Sequence, residues 1–162
     1  MAEESKEKAE IRSLFHSLSN HLNKITMKTG QYLYTERLKD IPVLRLPVEE
    51  SWAKQVYWMY GLVLDELTHM DAVEFAKRLQ TLGVQTRPFF LGMHEQPVFL
   101  DRGLFRGEHY PMAERIARQG LYLPSGLALT EAQLEQVCDA LRIVLGYKPE
   151  AKMPLGSLIK TS

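Results

Sequence analysis

The chain has 162 residues, 45% of them hydrophobic, and twenty lysines and arginines balance twenty aspartates and glutamates. That length can bury about two thirds of its unfolded surface in one domain, while zero net charge without a long basic run argues against a DNA or RNA partner. The first 25 residues hold no continuous apolar run, so no signal peptide or membrane span is expected there and the expectation is a cytoplasmic protein without a membrane partner.

Residues 6–25 place Ile11, Leu14, Phe15, Leu18, Leu22 and Ile25 at three-to-four spacing, the stripe of an amphipathic helix that needs a partner surface. A weaker helical run over 28–39 follows, with Gly30 arguing against one uninterrupted helix. Pro42 and Pro47 make 41–51 a strand fragment or surface loop. Residues 56–64, rich in aromatic and β-branched side chains, are expected to form a central strand with both faces covered. Asp71 and Glu74 offer a capping exchange for a helix over 72–82 that buries Phe75, Ala76, Leu79 and Leu82, with Gly83 after it.

Residues 84–90 return as a short strand, on which Pro88 favours an edge or a strand end. Pro111 suits the first position of a third helix, whose Met112, Ile116 and Ala117 share one face before Gly120. Leu121 to Leu123 form a very short strand, and Thr130 with Gln133 supplies a capping box for a last helix carrying Leu134, Val137, Cys138, Leu141, Val144 and Leu145 inward. The order predicts an α/β (α+β) fold: a two-layer unit with a short sheet and helices on one face, plus the N-terminal amphipathic helix. It divides into a helical segment at 1–40, a compact domain at 41–147 and a flexible tail at 148–162.

Candidate chemistry concentrates at Arg87, whose planar fork of donors suits a phosphate or carboxylate, with His94 able to approach the same oxygens. An ordinary ion pair for Arg87 and a structural donor role for His94 are the competing readings. Trp52 offers a flat face to a ring and Lys54 a mobile charge, or else they cap the domain edge. Tyr57, Trp58 and Tyr60 read as core or interface. Ser125 lies in a turn without an adjacent base, Cys138 reads as core packing, and the five histidines lack the spacing of a zinc site, so no nucleophile and no metal are expected.

The blocks Trp52 to Gly61, Gly83 to Phe90, Met93 to Pro97, Tyr110-Pro111 and Gly120 to Gly126 together resemble the C-terminal small domain of the DegT/DnrJ/EryC1/StrS sugar aminotransferases, over roughly 27–145. The resemblance makes 41–147 the small domain of a fold type I pyridoxal-phosphate enzyme, which usually dimerises with its active sites at the subunit interface. It implies a parent reaction in which a lysine-bound cofactor accepts an amine from glutamate and delivers it to C4 of a GDP-linked 4-keto-6-deoxyhexose. Arg87 and His94 then fall near the nucleotide-sugar end, and Trp52 and Lys54 near the substrate mouth.

The cofactor domain of that family, with its Schiff-base lysine and phosphate cup, has no counterpart here, so no cofactor is expected in this chain alone and no residue is assigned a catalytic role. The expectation is a truncated or detached small domain, inactive by itself, whose partner is a second copy or a separate aminotransferase large domain. A nucleotide-sugar binding module and a helix-mediated dimerisation protein are the alternatives.

Overall fold

The computed structural model describes Ser17 and residues 30–53, 55, 58–126 and 128–149. The amphipathic stripe of 6–25, together with Lys54, Val56, Tyr57 and the tail from 150 onward, lies outside the described residues. Helix α1 covers residues 30–38. It is followed by β1 (Leu44–Arg45), β2 (Tyr60–Leu64), α2 (Ala72–Thr81), β3 (Arg87–Pro88), α3 (Pro97–Leu100), α4 (Pro111–Gln119), β4 (Gly120–Leu123) and α5 (Glu131–Val144).

The strands pair antiparallel in the order β1-β2-β4-β3. Opposite residues in such a ladder share a face, so the register Leu44↔Leu64, Leu62↔Leu121 and Tyr60↔Leu123 gathers the large apolar side chains on one side. They meet Leu33, Tyr34 and Leu38 of α1, Phe75 and Leu79 of α2, and Leu134, Val137, Cys138 and Leu141 of α5 in a single core. The result is the expected two-layer α+β arrangement, with β2 central.

Helix starts follow their local chemistry. Asp71 accepts the Glu74 N–H at 2.7 Å, and Thr130 and Gln133 complete a reciprocal capping box on α5. At α2 only half of the expected exchange forms, because Glu74 Oε1 takes the Arg78 Nε hydrogen at 2.9 Å. Gly83 adopts φ 80°, the left-handed conformation that a residue after a helix commonly needs. Leu82, expected to be buried, is exposed.

Two other expectations are corrected. The predicted strand 56–64 begins only at Tyr60, and Trp58 sits in an exposed bend. Its ladder partner stops at Leu123 before Pro124, which has no N–H to donate, and the Tyr60 N–H turns to Ser125 Oγ at 3.2 Å. On α4 the expected stripe is not buried: Met112 and Ile116 are 64% and 38% exposed and the helix has no buried residue. The far face of the sheet is covered locally by Phe89, whose ring lies 4.3 Å from that of Tyr122 and over Gly61 and Gly120.

α1 is tied to α5 by charge as well as packing. Arg37 donates from Nε and Nη2 to Glu135 Oε1 at 2.9 and 2.6 Å, and the side chains are 3% and 9% exposed. Arg142 of α5 reaches the Arg37 carbonyl at 2.9 Å and the Asp40 carboxylate. That guanidinium holds the Asp40 carboxyl below its ordinary value, chiefly through the hydrogen bond.

Candidate functional site

Between the approach to β3, the end of β4 and the middle of α5 lies an open groove of about 700 Å³, a size suited to a small-molecule ligand. Among the described residues, Arg87 is the single charged one lining it. Every residue from Gly83 to Arg87 contributes, because the short β3 ladder, Arg87↔Tyr122 and Pro88↔Leu121, holds this segment against β4. Arg87 is exposed and its side chain has no ion pair or hydrogen bond among the described residues, whereas Arg37, Arg45, Arg78, Arg115, Arg118 and Arg142 each meet a carboxylate. Its guanidinium is therefore available to an oxyanion.

His94 is placed elsewhere. It is 8% exposed, absent from the groove lining, and lies 3.2 Å from Glu114 Oε1 through Nε2. The Tyr110 ring stands 4.8 Å from the imidazole, and Gly92 leaves room for it: a Cβ there would come within 2.6 Å of His94 Cε1. Glu114 also accepts the Tyr110 N–H at 2.9 Å and has His109 Nδ1 3.6 Å away. The Tyr110 amide, then the His94 bond and the nearby imidazoles, hold the Glu114 carboxyl below its ordinary value. Arg118 clamps Glu95 in the same way and lowers its carboxyl. The structure thus keeps Arg87 in the groove and ties His94 into the junction of the 92–110 segment with α4.

Trp52 is 84% exposed on a turn closed by the Glu50↔Ala53 bridge, outside the groove lining. Lys54 lies outside the described residues. The aromatic residue that does line the groove is Trp58, which sequence reasoning assigned to a core or interface. Glu114 was also missed, although an acidic residue four positions after a helix-starting Tyr-Pro pair was a readable signal that the free N–H of Tyr110 would be satisfied there.

Behind the groove the polar groups are already engaged. Ser125 Oγ accepts from Tyr60 N–H and donates to Leu123 O at 3.0 Å, so it is a structural hydroxyl. Tyr34 donates to Pro124 O at 2.8 Å. Burial pushes the Tyr60 phenol up to about 12 and the Cys138 thiol well above its usual range, so neither supplies an anionic nucleophile near neutral pH.

Pyridoxal phosphate, implied by the family resemblance, bonds to a lysine amine shielded from solvent. The lysines among the described residues, Lys39, Lys77 and Lys148, are all exposed and none lines the groove. These residues do not fit the group. No group of three or more metal-ligating side chains occurs among the described residues, and no helix among them is long and apolar enough to cross a membrane.

Comparison with known proteins places this geometry in a lineage. GDP-perosamine synthase of Caulobacter vibrioides is 34% identical over 92 residues, covering 57% of this chain and 24% of that protein. The erythromycin biosynthesis sensory transduction protein EryC1 of Saccharopolyspora erythraea is 30% identical over 110 residues, covering 67% and 28%. The chain thus spans about a quarter of the length of these relatives. Among solved structures, the aminotransferase TlmJ of Streptoalloteichus hindustanus superposes with a TM-score of 0.64 at 24% identity, over 76% of this chain and 32% of that one, which shows a shared fold. The model of the DegT/DnrJ/EryC1/StrS aminotransferase family, a pyridoxal-phosphate-dependent family, matches residues 20–142, and the chain belongs to that family.

Proposed function

We propose that this chain acts as the small domain of a nucleotide-sugar aminotransferase of the perosamine synthase kind, closing the substrate cleft of a separate cofactor-carrying domain and not transaminating by itself. The parent reaction would transfer an amino group from glutamate to a GDP-linked 4-keto-6-deoxy sugar in the cytoplasm. The observation that carries the reading is the uncovered apolar surface formed by α4 and the segment before it, where Phe90, Met93, Val98, Met112 and Ile116 are exposed. Exposed large apolar side chains concentrated in one part of the chain suit an interface, and the chain spans only about a quarter of the length of the relatives it matches.

The test is amino-sugar production, followed by mass spectrometry, from GDP-4-keto-6-deoxymannose and glutamate with added pyridoxal phosphate. The chain alone is expected to give none, and a perosamine synthase cofactor domain mixed with it is expected to give product. Met112→Glu with Ile116→Glu should abolish that complementation without unfolding the chain. Turnover that depends on this chain alone overturns the reading.

A second reading, a non-catalytic nucleotide-sugar binding module, is favoured by one observation: Arg87 lacks an acidic partner among the described residues. Saturable GDP-sugar binding without any association, by calorimetry and sedimentation, supports it. A stable dimer without binding supports association through a second copy instead.

A further inference from the structure

We infer that Trp58 is the specificity residue of the Arg87 groove, the flat surface on which the aromatic part of a ligand stacks while Arg87 holds its phosphates. The inference rests on the reading that this groove takes the nucleotide end of a nucleotide sugar.

Three features combine. Among the described residues the groove offers one cation and no carboxylate, so their electrostatics favour a polyanion. Its remaining polar groups include side-chain amides able to donate to an anion: Gln133, whose Oε1 already accepts from the Thr130 N–H and hydroxyl, with Gln85 and Gln136. Ser125 is withdrawn from ligand binding by its two internal bonds.

Third, an indole that is 68% exposed stands in the same groove. Its position follows from the backbone. Because Pro124 ends the β4 ladder, β2 has no strand partner before Tyr60, and the chain bends at Trp58 rather than folding it onto the sheet. An exposed aromatic surface in the same groove as the Arg87 guanidinium suits a ligand with both a ring and an anionic group. Trp52, the other tryptophan, lies outside the lining and serves as the internal control.

The experiment uses the full chain and two probes, GDP and inorganic pyrophosphate, with affinities measured by calorimetry. Arg87→Ala is expected to weaken both. Trp58→Ala is expected to weaken GDP by about 5- to 150-fold, the range for loss of one base–aromatic stack, while pyrophosphate affinity stays within about twofold. Trp52→Ala should change neither. In a Trp52→Phe protein, whose single indole is Trp58, GDP should quench fluorescence and pyrophosphate should not.

Far-UV circular dichroism checks that the folded content is unchanged, as expected for substitutions at exposed side chains. If GDP binds and Arg87→Ala weakens it but Trp58→Ala does not, the inference fails and the nucleotide reading stands. If the unmodified chain shows no saturable GDP binding, the reading fails and takes the inference with it.

Discussion

Replacing Glu135 with alanine removes the carboxylate oxygen that accepts from both Arg37 Nε and Nη2, and the guanidinium it leaves behind is 3% exposed. Breaking one side of a buried pair generally costs about 3–5 kcal/mol, because water cannot replace the counter-charge that is lost. Both donors converge on one oxygen, Oε1. Glu135→Gln keeps an oxygen acceptor and removes the charge, so its cost should fall nearer 1–3 kcal/mol, roughly the value of a charge-assisted bond.

With a urea slope of about 2 kcal/mol per molar, the alanine variant should shift the midpoint down by about 2 M with an unchanged slope. Arg37→Met combined with Glu135→Leu should recover most of that loss, since neither charge of this buried pair remains. Far-UV circular dichroism is the appropriate readout, because Trp52 and Trp58 are both exposed and report poorly on the core. An alanine variant with the midpoint of the unmodified protein, or a double variant as unstable as the single one, would refute the reasoning.

Three further outcomes are expected. Gly120→Ala should destabilise by about 1–3 kcal/mol, an overpacking cost, because its Cβ would stand 2.5 Å from the Ile116 carbonyl oxygen and nearer still to Phe89; thermal denaturation reads it. Thr130→Ala should cost about 1 kcal/mol by removing the acceptor of the Gln133 N–H and half of the capping box, measured by the urea midpoint. Glu114 and Asp40 have carboxyls depressed below their usual values of 4.5 and 3.8, the first chiefly by the Tyr110 amide and the second by Arg142. A depressed carboxyl stabilises the fold above its unfolded value, and that contribution is lost as pH falls through the lower folded value. Stability should therefore decline on acidification below about pH 4.5, and Glu114→Gln with Asp40→Asn should make the decline shallower in urea midpoints taken across that range.

Much of the fold could be read locally. The Asp71 cap, the Thr130–Gln133 box, Pro111 at a helix start, Pro88 at a strand end and Gly83 after a helix all work within a few residues, and each stands where its chemistry predicts. Arg87 was likewise legible as a cation in a segment unsuited to helix, and it reaches the groove without an acidic partner among the described residues. The family blocks are themselves runs of such local positions, which is why they carried the resemblance that the family match shows.

What tertiary structure decided lies farther apart in the chain. Where β2 begins depends on Pro124 and on Ser125, 65 residues from Tyr60. The Arg37–Glu135 lock joins residues 98 apart, and the capture of His94 by Glu114 crosses from one segment to another. Trp52 was the tryptophan read as a ring-binding face and Trp58 as core or interface, yet the end of the sheet puts Trp58 in the groove that Arg87 lines. Capping and periodicity are short-range and so are written residue by residue, whereas a ladder partner, a buried counter-charge or a shared groove exists only after distant segments have been brought into contact.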